Sequence, residues 1–210
     1  MGAVPACLVI ACGALAREIV ALREINHWPH LVVQCLPANL HNRPEKIPGA
    51  VREKIRANRG KFQSMFVAYA DCGTGGLLDG VLAEEQVERI PGAHCYEFFA
   101  GAAQFEAMAD AEPGTFYLTD FLLKHFDRLI IQGLGIDKHP QLLPIYFGNY
   151  RKLVYLAQVE SAALRAQGQA AADRLGLAYG YQPTGYGELA TNLARAGQTK
   201  SSMGVIAWQN

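Results

Sequence analysis

Short apolar runs alternate with segments of helical periodicity along most of the chain, and turn residues separate them. The first apolar run, Cys7 to Ala11, predicts a buried strand, and the apolar positions from Ala14 to Ile25 have the spacing of a helix. The same alternation continues to the end of the chain. Further strands are predicted at 31–36, 65–70, 115–118, 152–157 and 177–181, and further helices at about 49–58, 77–89, 96–108, 121–132, 161–175 and 187–195.

Alternating strands and helices are typical of an α/β fold with a mostly parallel sheet. We therefore expect a Rossmann-like arrangement with helices flanking the sheet. A length of 210 residues suits one large domain, and no break in composition divides the chain, so a single domain over residues 1–210 is predicted. The proline-rich stretch from Pro37 to Pro44 is too polar for regular structure and predicts a loop.

The amino-acid composition indicates which kind of partner the protein binds and in which cell compartment it is expected. Lys plus Arg number 19 and Asp plus Glu also number 19, so the chain lacks the basic excess that nucleic acid requires and favours a small-molecule substrate. The first apolar run is short, lacks a preceding basic region and is soon followed by charged residues, which predicts neither a signal peptide nor a membrane span. Five widely spaced cysteines indicate reduced thiols in a cytoplasmic protein.

Three cysteines share one local setting. Cys12, Cys72 and Cys95 each follow an apolar segment and precede a predicted helix, which puts them at the carboxyl ends of strands, where ligands bind in open α/β sheets. If they converge, they form a three-thiol site for Zn²⁺ or a [4Fe-4S] cluster with one open position. The alternative is ordinary buried cysteines, since no CxxC spacing is present.

The segment from Asp71 to Gly76 combines a carboxylate with a glycine-rich turn. Gly73, Thr74, Gly75 and Gly76 are predicted to bind substrate through backbone N–H groups at the start of the next helix. Asp71 is a candidate catalytic residue that would orient a ligand. The alternatives are a tight turn that needs glycine at positive φ, and an Asp that caps a helix or turn.

Two histidines and an arginine complete the set of candidate residues. His41 is predicted to act as an acid or base or to bind metal, and Arg43 to hold a carboxylate or phosphate of the substrate. His94, next to Cys95, is a candidate substrate-binding residue or proton carrier. The alternative for the loop that carries His41 and Arg43 is a solvated surface segment.

Most of the chain resembles a family of uncharacterised bacterial and archaeal proteins, the domain of unknown function DUF1638. The resemblance is carried by the stretches ACGALAREI (11–19), LPANLHNRPEKIP (36–48), YADCGTGGLLD (69–79), HCYEFFAG (94–101) and GTFYLTDFLLKHFD (114–127). Family genes often lie near corrinoid-dependent methyltransferases, which implies one-carbon or methylated-amine metabolism and corrinoid or methyltransferase proteins as partners. A looser likeness to quinolinate synthase and the diphthamide synthesis enzymes implies an iron–sulfur cluster held by one cysteine from each α/β unit.

These features favour a metal-dependent enzyme that acts on a small molecule, either a methyltransferase or a lyase or hydrolase. In this interpretation Cys12, Cys72 and Cys95 hold the metal, while His41 and Arg43 serve the substrate. The second hypothesis is a binding or accessory protein that stores, senses or delivers a metal or a corrinoid-related ligand. A third, a purely structural domain, predicts no stoichiometric metal.

Overall fold

Residues 7–198 of the chain are described by a computed structural model, and they form an α/β fold with parallel sheets. The strands are β1 (Cys7–Cys12), β2 (Leu31–Leu36), β3 (Ser64–Ala68), β4 (Glu88–Arg89), β5 (Thr115–Thr119), β6 (Lys152–Ala157) and β7 (Ala178–Pro183). The α-helices are α1 (Ala16–Ile25), α2 (Ile47–Asn58), α3 (Leu77–Glu85), α4 (Glu97–Ala100), α5 (Ala102–Ala111), α6 (Asp120–Lys124), α7 (Leu143–Phe147), α8 (Ala162–Leu175) and α9 (Leu189–Gln198).

The strands form two parallel sheets. The first sheet has the order β2-β1-β3-β4, and the second has the order β5-β6-β7. The predicted α/β architecture with parallel strands and flanking helices is therefore confirmed, and the structure divides the strands between two sheets. In the first sheet the chain leaves β1 for β2 on one side and returns to β3 on the other, so the strand order reverses at β1. Such a switch point opens a crevice at the carboxyl ends of the strands.

Strand β1 is the centre of the first core. All six of its residues are buried, as expected for a strand that pairs on both edges and is covered on both faces. Gly13 follows it directly and lies against β2, because a Cβ at this position would be 2.9 Å from the carbonyl oxygen of Leu36. The absence of a side chain at Gly13 lets the ends of β1 and β2 approach each other.

The second sheet has a core of its own, with Leu118, Leu153 and Tyr155 among its fully buried residues. The last helix of the described residues, α9, however, belongs to the first core. Leu189 and Leu193 of α9 are fully buried in the cluster that surrounds β1, although α9 follows β7 in the chain. The chain thus crosses back from the second sheet to the first.

Three predicted helices differ in the structure. The helix expected at 77–89 ends at Glu85, because Gln86 has φ 55°, and residues 88 and 89 form β4 instead. The helix expected at 96–108 is two helices, α4 and α5, because the chain breaks at Gly101, which has φ 80°. The helix expected at 121–132 ends at Lys124 and is followed by a π-helix over Asp127–Ile131. Within residues 7–198, every helix is too short or too polar to cross a bilayer.

Candidate metal centre

Each strand of the first sheet delivers one candidate side chain to the same edge. Cys12 is the last residue of β1, and His41 lies in the 3₁₀ turn Ala38–Asn42 that follows β2. Cys72 lies in the turn after β3, and Cys95 in the turn between β4 and α4. Because the strands are parallel, their carboxyl ends all meet at this edge.

Cys12 and His41 are in direct contact. The Cys12 sulfur lies 3.4 Å from Nδ1 of His41 and also accepts the backbone N–H of Ala14 at 3.3 Å. Cys12 thus caps the short 3₁₀ turn that begins α1 and holds one nitrogen of the imidazole. Nε2 is the other ring nitrogen available as a ligand.

Cys72 and Cys95 form the second contact pair. The backbone N–H groups of Asp71 and Cys72 donate to the carbonyls of Gly92 and Ala93 at 3.1 and 2.8 Å, which ties the turn after β3 to the segment that carries Cys95. Cys72 has φ 51°, a left-handed conformation that is uncommon for a residue with a side chain. In this conformation its sulfur lies 2.9 Å from the sulfur of Cys95.

The electrostatics of the cluster favour one thiolate and one imidazolium. The hydrogen bond from Cys95 and the contact with His41 lower the pKa of Cys72 to about 5. Burial opposes the charged form of His41, but hydrogen bonds to Cys12 and Cys72 outweigh it and raise the pKa of His41 to about 11. The pKa of Cys95 is raised well above its ordinary value, first by its hydrogen bond to Cys72 and then by burial.

Tyr69 adds a buried hydroxyl beside the thiols. It is a fully buried residue just after β3, and its hydroxyl has no hydrogen-bond partner among the described residues. Burial is the main cause of its raised pKa, and the neighbouring thiols Cys12, Cys95 and Cys72 raise it further. No sequence pattern singled out this tyrosine, since it lies inside an apolar run.

Asp71 is engaged in building the glycine turn. Its carboxylate accepts the hydroxyl of Thr74 at 2.5 Å and the backbone N–H groups of Gly75 and Gly76 at 3.0 and 2.9 Å. The glycines have positive φ, as the turn interpretation expected. Because Asp71 already takes the N–H groups of Gly75 and Gly76, these contacts describe a turn cap. The substrate-binding role of the turn and the catalytic role of Asp71 stay predictions.

The remaining candidates lie around the cluster. Gly73 faces Pro44, since a Cβ at Gly73 would be 3.6 Å from the proline ring, so the glycine turn touches the loop that carries His41. Arg43 is exposed and lines a cleft on that loop. His94 stacks on Tyr96 with ring centroids 5.1 Å apart. The substrate roles of Arg43 and His94 also stay predictions.

The most compact group of potential ligands within residues 7–198 is His41, Cys72 and Cys95. One ligand atom from each lies within 4.8 Å of the other two. Cys12 is outside this group and touches it through His41. The structure thus brings Cys72 and Cys95 together with a histidine, and metal binding by the predicted set of Cys12, Cys72 and Cys95 stays a prediction. The sequence had indicated His41 by its position in the loop after β2. It was predicted there as an acid or base or as a metal ligand.

Fold and site together define a class: an α/β protein with parallel sheets that carries a potential metal-binding group of one histidine and two cysteines at the carboxyl edge of a sheet. The chain belongs to the family described as "Protein of unknown function (DUF1638)", which matches it over residues 35–193. The resemblance found in the sequence is thus confirmed. Comparison with curated proteins and with solved structures found no significant match.

Proposed function

We propose that the protein is a metal-dependent enzyme that holds one Zn²⁺ ion through His41, Cys72 and Cys95 and acts on a small molecule. The observation that carries this proposal is the compact group of three ligand atoms within 4.8 Å at the edge of the first sheet. One imidazole and two thiolates are a ligand set that zinc uses in proteins.

The distances suit a single ion with small adjustments. In a tetrahedral zinc site with Zn–S bonds of about 2.3 Å, ligand atoms lie about 3.5–3.8 Å apart. The sulfurs of Cys72 and Cys95, now 2.9 Å apart, would have to separate by about 1 Å, which side-chain rotation supplies. Cysteines that ligate a [4Fe-4S] cluster bind different irons and need wider separations, so the geometry favours one ion over the predicted cluster.

The charge distribution also suits a cation. The thiols stabilise the positive charge of His41 strongly enough to raise its pKa to about 11 in spite of burial. A divalent cation bound by Cys72 and Cys95 would take the place of that imidazolium charge and of the proton on Cys95. Metal binding is therefore expected to release protons.

Three protein ligands leave one coordination position free, as is typical of catalytic zinc sites. Bound zinc supplies Lewis-acid chemistry, which polarises a carbonyl or lowers the pKa of water or of a thiol. In this arrangement Cys12 orients His41 by holding Nδ1, so that Nε2 faces the metal.

A carrier or accessory protein is the second candidate, and the burial of Cys12 favours it. Cys12 is fully buried and its sulfur is only 3.4 Å from His41. A modest rotation would make it a fourth ligand and close the site, as in zinc sites without catalysis.

For either candidate, the link to one-carbon metabolism and to corrinoid or methyltransferase proteins is part of the proposal and rests on the family resemblance.

The first experiment measures metal per chain after anaerobic purification and after adding Zn²⁺ to the reduced, chelator-treated protein. We expect about one zinc per chain and no stoichiometric iron or sulfide. His41→Gln, Cys72→Ser and Cys95→Ser should each lower zinc to well below one per chain, whereas Cys35→Ser, on an exposed position of β2, should retain it. A protein that binds no stoichiometric metal under either condition would sink the proposal.

The second experiment separates the enzyme from the carrier. In the Co²⁺-substituted protein, an open position should bind imidazole or azide and change the visible spectrum, and Cys12→Ser should retain metal with about 10- to 100-fold weaker affinity. A closed site would leave the spectrum unchanged, and Cys12→Ser would lose the metal along with the other ligand variants. The latter result would favour the carrier.

A further inference from the structure

A second candidate site is lined by the loop that carries His41. The turn after β2 and the residues that follow α6 enclose a cleft of about 650 Å³, within the usual range for small-molecule sites. Arg43 lines it from the first half of the fold and Arg128 from the second. Its other polar lining residues are Asn39, Asn42 and Gln132, and no acidic residue lines it.

Neither guanidinium in the cleft has an acidic partner. Within residues 7–198, no hydrogen bond or ion pair joins the side chain of Arg43 or Arg128 to another residue. The acidic neighbour of Arg128 along the chain, Asp127, is paired with Arg174 instead. Two unpaired positive charges facing one cleft repel each other, and a bound anion removes that cost.

The cleft is held by a specific contact between its two walls. The side-chain amide of Asn42 donates to the carbonyl of Leu129 at 3.1 Å. That approach requires a glycine at 133, because a Cβ there would lie 2.6 Å from the Asn42 amide and 2.2 Å from the Leu129 carbonyl oxygen. Arg128 is an exposed residue of the π-helix, and π-helical segments often occur at functional sites.

We propose that this cleft binds a small oxyanion, a carboxylate or a phosphate group, between Arg43 and Arg128. Guanidinium groups bind both anions through paired, charge-assisted hydrogen bonds. The amides of Asn39 and Gln132 are placed to donate further hydrogen bonds. The cleft therefore offers an anion both charged and neutral donors.

The cleft and the metal centre share one loop. His41 contacts the cysteines, while Asn42 and Arg43, the next two residues, line the cleft. If the proposed function holds, on which this step rests, the anionic group belongs to the substrate of the metal centre. The proposed enzyme would then act on a small carboxylate or phosphate ester rather than on a neutral molecule.

The test is calorimetric titration of the purified full-length protein with inorganic phosphate and, separately, with succinate. We expect saturable binding of at least one probe with about millimolar affinity or better, and a loss of about tenfold or more in each of Arg43→Gln and Arg128→Gln. The matched control is Arg151→Gln, an exposed arginine that precedes β6 and lies outside the cleft, which should bind as the unmodified protein does.

Several outcomes overturn the assignment. Absence of saturable binding of both probes up to about 10 mM would do so, and so would equal affinities in the Arg43, Arg128 and Arg151 variants. Preference for phosphate or for succinate identifies which oxyanion the cleft takes. Zinc content measured on the same samples keeps the two proposals apart, because the cleft variants should retain zinc and the anion should bind the chelator-treated protein as well.

Discussion

At the scale of the residue, Cys72 combines three unusual features. It has left-handed backbone geometry, a sulfur in contact with Cys95 and a pKa lowered to about 5. A non-glycine residue held at positive φ costs about 1–3 kcal/mol and is found where the surrounding structure determines it, often at functional sites. Here the bond from its N–H to the carbonyl of Ala93 and the Asp71 cap determine it.

The lowered pKa of Cys72 predicts selective alkylation. In the chelator-treated protein at pH 6, above its pKa of about 5, Cys72 is a thiolate and should react with iodoacetamide before Cys35, which is more exposed but has a raised pKa. The rate at Cys72 should fall as pH drops through about 5. Peptide mass spectrometry measures both rates.

Added zinc provides the control for this prediction, because a metal-bound sulfur should be protected while Cys35 continues to react. Faster labelling of Cys35 at pH 6, or zinc that leaves Cys72 unprotected, would contradict the electrostatic account of the cluster.

At the scale of the element, the turns that follow the strands of the first sheet bring the site together. Gly13 makes a close approach of backbone to backbone, since its position against the Leu36 carbonyl joins the end of β1 to the loop that carries His41. Gly49, in the first turn of α2, has no atom within 4 Å of an added Cβ. The two glycines therefore offer a matched pair of substitutions.

We expect Gly13→Ala to destabilise the protein by about 1–3 kcal/mol, because the new methyl group meets backbone that must shift. The shift should also move His41 away from Cys12 and weaken zinc binding. Gly49→Ala should leave zinc binding unchanged and stabilise the protein by about 0.5–1 kcal/mol, since alanine is the better helix residue. Denaturant unfolding and zinc titration measure the two effects. A Gly13→Ala protein as stable as the Gly49→Ala protein would show that the approach of β1 and β2 is not constrained at this point.

At the scale of the whole molecule, α9 links the end of the chain to its beginning. The second sheet has its own core, yet Leu189 and Leu193 of α9 are fully buried around β1. The first core is therefore built from both ends of the described chain. That the chain is a single domain remains a prediction. The packing of α9 in the first core offers a way to test it.

Leu193→Ala should cost about 2–5 kcal/mol, as expected for a fully buried leucine. If the chain is one domain, unfolding followed by far-ultraviolet and by tryptophan or tyrosine signals should show one transition that shifts as a whole. Ile145→Ala, at a side chain that is 70% exposed on α7, should stay within about 0.5 kcal/mol of the unmodified protein. Two transitions, of which Leu193→Ala shifts only one, would divide the chain into two domains.

Six of the seven strands among residues 7–198 were predicted from the sequence, and the exception is the two-residue β4, which falls within the helix expected at 77–89. The expected bounds of β2 and β6 match the structure, because each is a short, mostly apolar segment closed by turn residues or a polar segment. The helix breaks were less predictable. Gly101 is a signal of a helix break that can be read from the sequence. The segment 121–132, by contrast, keeps a helical apolar pattern through its π-helix, and the sequence gives no local signal for the extra residue in the π-helical turn.

The sequence predicted the location of the candidate site better than it predicted which residues meet there. The sequence alone determined that Cys12 and Cys72 follow strands and that Cys95 lies at a turn before a helix, since apolar runs and turn residues are local properties of the chain. Parallel strands bring such positions to one edge. Which atoms meet there depends on strand order and on loop paths over tens of residues. The Asp71 cap of the glycine turn is also local, and it was one of the alternatives that the sequence offered. Only the tertiary structure brought His41 from the end of β2 between Cys12 and Cys72, and placed Arg43 and Arg128 on one cleft, because each of these contacts joins segments that no local pattern connects.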